Sequence, residues 1–148
     1  MNPARQATRF WAMIPGMIAL KRPGTLLILG LSAVFLAVVA RTAWIGDDAY
    51  ITFRVIDNWM NGHGLTWNTA ERVQAYTHPL WMFVVAVFYR FKHEAYFTSL
   101  VLSIALSMGA VLLLAVRVAA TSAAGALAIV TLTFSRAFVD YSTSGLEN

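Results

Sequence analysis

Two long apolar runs limit what this chain can fold into. Residues 24–44, GTLLILGLSAVFLAVVARTAW, carry no charge before Arg41, and residues 95–116, AYFTSLVLSIALSMGAVLLLAV, carry none. An α-helix rises 1.5 Å per residue, so roughly 20 such residues cross the hydrocarbon of a bilayer. Backbone groups inside hydrocarbon must pair within their own segment, and the helix is the form that does this. Arg41 can reach along its stem to the headgroups, and Trp44 stands where an interfacial ring belongs.

Composition supports the same class. Hydrophobic residues make up 59% of the 148 residues and charged residues 12%, against about 25% charged in soluble domains. The predicted fold is all-α, a polytopic transmembrane helical bundle. Residues 78–91, HPLWMFVVAVFYRF, predict another crossing that Pro79 would open, since proline suits a first helical turn. Residues 118–134 predict a weaker, uncharged fourth segment with small residues for helix packing. The spans are thus 24–44, 78–91 and 95–116, with 118–134 as a further candidate.

Residues 1–23 are predicted to be a cytoplasmic or interfacial segment. They carry Arg5, Arg9, Lys21 and Arg22, and their apolar stretch is broken by Pro15. Basic residues before a first span favour the inside, so residues 45–77 form an extracytoplasmic loop of a multi-pass inner-membrane protein. That pattern and the scatter of the other basic residues account for the net charge of +4, and no nucleic-acid partner is expected. The absence of cysteine excludes disulfide and thiolate chemistry. The sequence closes on SRAFVDYSTSGLEN without a charged tail or a closing helix, which predicts a piece of a longer chain or a truncated gene product.

The outer loop is unusually polar for its setting. Residues 49–61 predict an amphipathic helix. Ile51, Phe53, Val55, Ile56, Trp59 and Met60 lie on one arc, and Arg54, Asp57, Asn58 and Asn61 on the other. Asp47 and Asp48 stand at its start. One carboxylate there would serve as a cap favoured by the helix dipole. Two adjacent ones repel when ionised, which raises one pKa or recruits a cation, and either outcome suits a general base or a metal or pyrophosphate anchor. His63 between Gly62 and Gly64 is a candidate phosphate or hydroxyl ligand, or a solvent-facing turn residue. Arg54 and Arg72 are candidate anion partners. Trp67 and Trp81 offer flat faces to lipid or to sugar rings. The sequence has no zinc-ligand cluster, no Walker loop and no Gly-x-Ser-x-Gly elbow.

The segments DDAYITFR (47–54), NGHGLTWN (61–68), ERVQAYTHPLW (71–81) and SGLEN (144–148) stand in an order and spacing that resembles a known family. It is that of the polyprenyl-phosphate-dependent membrane glycosyltransferases of the GT-C superfamily, in particular the AftB-type arabinofuranosyltransferases. The resemblance implies a GT-C-like N-terminal portion and inverting sugar transfer at the outer face. The donor would be a polyprenyl-phosphate-linked sugar held among membrane lipid, and the acceptor a glycan, lipid or protein. The resemblance implies Asp47 or Asp48 as catalytic base, and Arg54, His63 and Arg72 as phosphate partners. Tyr50, Trp67, Tyr76, His78 and Glu147 would shape the site. A divalent cation, Mg or Mn, is a candidate cofactor at Asp47 and Asp48. Asn148 and His78 depart from the family pattern, where threonine and asparagine or serine are commoner. A transporter or channel subunit, or a non-catalytic membrane fragment, is the rival reading. One conflict remains in the sequence: counting 118–134 as a full crossing puts Glu147 inside, away from Asp47 and Asp48.

Overall fold

The first uncharged run forms α1, Thr25–Thr42, as its composition predicts. The structure is a computed structural model that describes residues 24–71, 73 and 75–146. The predicted leader 1–23, Arg72 and Glu147 lie outside the described residues. α1 buries one narrow edge of Ile28, Ser32, Phe35 and Val39, and leaves Leu26, Leu27, Leu29 and Val34 exposed. A helix apolar on every side belongs in apolar surroundings.

The remaining elements are α2, Asp47–Met60; α3, Pro79–Lys92; α4, Tyr96–Leu113, which continues into a π turn, Leu114–Val118; α5, Ser122–Phe134; and α6, Arg136–Tyr141. The described residues are thus all-α, with no strand among them. Two helices are long and apolar enough to cross a membrane, Thr25–Thr42 and Tyr96–Val118. α5 is apolar but has only 13 residues. The helix at the expected second crossing, α3, has 14 residues; it extends about 21 Å, short of the roughly 30 Å of a hydrocarbon core.

The buried residues form two cores. Ile28, Phe35, Val39, Val111, Ala115, Ala126, Ile129 and Val139 join α1, the C-terminal part of α4, α5 and α6. Ala49, Phe53, Val55, Ile56, Trp81, Met82, Val85 and Ala86 join α2 and α3, with Ala95 and Leu102 of the α4 region packed against them. α4 therefore carries one core on each of its halves.

Close contacts fix the directions. A Cβ placed on Gly24 would lie 2.6 Å from Ser122 Cβ, so α1 and α5 begin together. The chain leaving α1 meets α6, which follows α5, and the turn after it: the Trp44 indole N–H donates to the Asp140 carbonyl at 3.0 Å, and the Gly46 N–H to the Ser144 carbonyl at 2.8 Å. α1 and α5 run parallel and α4 runs against them. At its far end the Ala115 carbonyl lies 2.7 Å from where a Gly125 Cβ would be. Glu94 caps α4: its carboxylate accepts from the N–H groups of Tyr96 and Phe97 at 2.8 Å and of Thr98 at 3.3 Å.

Candidate functional site

Gly46 turns the chain out of α1 and is the N-cap of α2, with no side-chain cap. Asp47 and Asp48 therefore occupy the first turn of α2. Both are exposed, and neither has a hydrogen-bond or ion-pair partner among the described residues. Neither acts as a side-chain cap; the helix dipole alone favours their charge there. Two exposed carboxylates thus stand at the point where the chain leaves a span-length helix.

Three elements surround that point. The segment after α6 comes from the far end of the chain: Ser142, Thr143, Ser144 and Gly145 are all buried. Thr143 Oγ1 accepts from the Trp44 N–H at 3.3 Å. Gly145 takes a φ of 84°, and a Cβ there would meet Ala49 Cβ and Ile45 Cγ2, each at 2.9 Å. The Trp81 indole N–H donates to the Gly145 carbonyl at 2.8 Å. Trp81, expected on lipid or sugar, is only 6% exposed, so its ring serves the core instead.

His78 is the third contributor. Its Nε2 lies 3.1 Å from Thr52 Oγ1 and its Nδ1 3.0 Å from Thr77 Oγ1. Thr52 is one helical turn beyond Asp48, so this pairing pins the loop before α3 to the α2 face that Asp48 begins. Tyr76, in the same loop, packs half-buried on the second core. Tyr50, an exposed neighbour of Asp47 and Asp48, stacks edge-on with Phe53 at 5.6 Å.

The candidate anion partners separate. Arg54 lies two turns from Asp47 on the same exposed face. Its guanidinium sits 4.5 Å from the centre of the Trp67 ring, and Nη2 donates to Asn68 Oδ1 at 3.4 Å. Asn58 ties the glycine-containing loop back along α2 through the carbonyls of Thr66 at 2.8 Å and Trp67 at 3.0 Å. His63 is exposed beyond the C-terminus of α2, a helix length of about 20 Å from the aspartates. The structure thus brings Asp47, Asp48, Tyr50, His78 and the Ser144–Gly145 segment to one end of α2, places Arg54 midway, and leaves His63 at the other end.

Local spacing could have revealed Thr52, four residues after Asp48. Nothing local could have revealed Thr143 and Gly145, whose partners are distant in sequence. Farther along α2, Asp57 Oδ1 accepts from the Tyr89 hydroxyl at 2.7 Å. That hydrogen bond, with burial and the carboxylate charges of Asp57 and Glu94, raises the Tyr89 phenol to about 12, so it stays a neutral donor. No group of three or more His, Cys, Asp or Glu gathers among the described residues. Asp47 and Asp48 offer two adjacent oxygen donors to a hard cation, which takes at least six oxygen ligands and would need the rest from elsewhere.

No family model matches the chain, and no solved structure matches it. Two curated proteins do. A terminal beta-(1->2)-arabinofuranosyltransferase of Corynebacterium glutamicum is 34% identical over 113 residues, which cover 70% of this chain and 16% of that protein. The Mycobacterium tuberculosis protein of the same name is 32% identical over 117 residues, covering 71% of this chain and 18% of that protein. The chain spans less than one fifth of the length of these relatives. Over most of its own length the chain is thus homologous to a short part of AftB-type arabinofuranosyltransferases, and through them to glycosyltransferases.

Proposed function

We propose that the chain supplies the acidic loop of a membrane glycosyltransferase. The full protein would move a sugar from a polyprenyl-phosphate donor to an envelope glycan, lipid or protein at the outer membrane face. The observation that carries this reading is the pair of exposed carboxylates in the first turn of α2, without a partner among the described residues and directly beyond a span-length helix. Homology to arabinofuranosyltransferases supports the reaction class.

In this reaction one of the two carboxylates takes the proton from the acceptor hydroxyl. The acceptor oxygen forms the new glycosidic bond as the bond from the anomeric carbon to the phosphate oxygen breaks. The leaving polyprenyl phosphate keeps the electron pair, and the sugar carbon inverts. Attack and departure occur on opposite sides of that carbon, so the base and the phosphate partner must be separated along the site. Arg54, two turns along α2 from Asp47, meets that requirement once its guanidinium leaves Trp67 for the phosphate. His63, at the far end of α2, is too remote for the same phosphate.

The test is turnover of labelled polyprenyl-phospho-sugars by the full-length protein in membranes. Removing a general base lowers rates about 10²–10⁴-fold, so Asp47→Asn or Asp48→Asn should do the same. Wild-type turnover in both variants would refute the assignment. Arg54→Gln should raise the KM for the donor more than it lowers kcat.

A further inference from the structure

Trp67 carries a guanidinium on its face. Arg54 Cζ lies 4.5 Å from the centre of the indole. The ring is placed from behind. Asn58, half-buried on α2, donates to the carbonyls of Thr66 at 2.8 Å and of Trp67 at 3.0 Å, and Thr66 is buried. The guanidinium is held more loosely. Its further contact among the described residues is a 3.4 Å bond to Asn68 Oδ1, and no carboxylate among them pairs with it. Asp57, one turn farther on, is engaged with Tyr89 and Asn61. A ring turned toward lipid would not be covered by a charged group, so Trp67 belongs to the polar side of α2.

We propose that Trp67 is a catalytic residue. When Arg54 moves onto the donor phosphate, the bared indole face receives the donor sugar ring. It then stabilises the positive charge which that ring gains in the transition state. The proposal rests on the transferase reading above.

The spacing along α2 argues for it. Asp47 and Arg54 share one face of the helix, and two turns set them about 10 Å apart. An in-line array runs from the carboxylate through the acceptor oxygen, the anomeric carbon and the leaving oxygen to the guanidinium. With hydrogen bonds of about 2.8 Å at its ends and an attack distance of about 3 Å within it, that array also measures on the order of 10 Å. The donor sugar then lies between Asp47 and Arg54, next to the indole that Arg54 covers in this structure. The electrostatics agree. The π face of an aromatic ring attracts positive charge, and tryptophan does so best. As the bond from the anomeric carbon to the phosphate oxygen breaks, the phosphate keeps the electron pair and the sugar ring becomes cationic. The acceptor oxygen closes the glycosidic bond, its proton passes to the aspartate, and the indole exchanges no atom. A neutral sugar gains little from the same face, so the contact acts on the transition state and on kcat. Arg54 cannot hold ring and phosphate in the same way at once, so the movement that binds phosphate also clears the ring. Its loose hold on Asn68 leaves it free to make that exchange for a charge-assisted pair.

The test replaces Trp67 of the full-length protein with mono-, di- and tetrafluorotryptophan, which keep the shape of the ring while drawing charge from its face. Turnover of a labelled polyprenyl-phospho-sugar is measured in membranes. kcat should fall stepwise with fluorine content, by about 5- to 30-fold for the tetrafluoro ring. KM for the donor should stay level or fall, because Arg54 leaves a fluorinated ring more readily. An unchanged kcat across the series would overturn the proposal and leave Trp67 as a resting place for Arg54. A loss as large with one fluorine as with four would also overturn it, since packing rather than charge would be responsible. Fluorine NMR of the monofluoro protein reads the exchange without turnover. Added polyprenyl phosphate should move the resonance toward its position in Arg54→Gln, and a resonance that stays in place would overturn the proposal. Absence of transfer by the unsubstituted protein, or wild-type turnover in both Asp47→Asn and Asp48→Asn, would bring down the transferase reading and this proposal with it. Either result is visible before any fluorine is introduced.

Discussion

At Gly145 a backbone φ of 84° coincides with a Cβ position 2.9 Å from both Ala49 Cβ and Ile45 Cγ2. An alanine there meets both a strained conformation and an overpacked contact. Gly145→Ala should cost about 2–4 kcal/mol, measured by thermal unfolding in detergent. Trp81→Phe keeps the ring but leaves the buried Gly145 carbonyl without its donor, a loss of about 1–2 kcal/mol. His78 holds a different joint. His78→Phe removes both hydroxyl partners of the ring, and should weaken donor binding several-fold while leaving the rate at saturation nearly unchanged. A variant with unchanged KM would show that the loop before α3 does not act on the site. The aspartates were legible in the sequence because a first helical turn is a local event. The glycine and threonine that pack behind them were not, because Thr143 and Trp44 are 99 positions apart. Trp81 was misplaced for a related reason: an apolar ring carries no mark in the sequence of whether lipid or a folded core will receive it.

The elements show where hydrophobic pattern suffices and where it fails. α1 and α4 were readable because each is long and apolar around its circumference, Arg41 in the last turn of α1 being the one charge. α2 was readable from its amphipathic spacing, though it begins at Asp47 rather than Ala49, which draws the aspartates into the helix. α3 reads as a crossing by the same measure, since a core face and an exposed apolar stripe together make an apolar helix; its 14 residues are fewer than those of the two span-length helices. No closing helix was expected, yet α6 forms at Arg136–Tyr141; its six residues are too few to show a period in the sequence. The start of α4 offers a test at this scale. Three backbone N–H groups there depend on one side chain, Glu94, and the dipole reinforces its charge. Glu94→Ala should cost about 1 kcal/mol in thermal unfolding, and Glu94→Gln less, since the amide oxygen still accepts. Equal losses would mean that charge, not hydrogen bonding, dominates the cap.

At the scale of the whole molecule, the position of the chain's end depends on how many segments cross. The expected count of four crossings put residues 135–148 inside. The contacts favour another count. Ser144 bonds to Gly46 and Gly145 to Trp81, so residues 142–146 lie at the end of the bundle where α2 begins. If α3 stays at the surface, α4 crosses inward from Tyr96 to Val118. α5 then returns, and α6 extends it to Tyr141, which together give the length that α5 lacks. On that count residues 118–121 are inside and Leu146 is outside, on the side of Asp47. The conflict over Glu147 then disappears, because the turn before it is delivered to the acidic end of α2. Two measurements separate the counts. Oxidation should join Gly24→Cys to Ser122→Cys, because a Cβ at Gly24 falls within disulfide reach of Ser122 after a shift of about 1 Å. That pair bonds only if α1 and α5 start on the same side. Impermeant labelling should then reach Leu146→Cys from the side that reaches Gly62→Cys, and reach Ala120→Cys only after the membrane is opened. Ala120 labelled together with Gly62, and Leu146 protected, would restore the count of four crossings and remove the Ser144–Gly145 segment from the site.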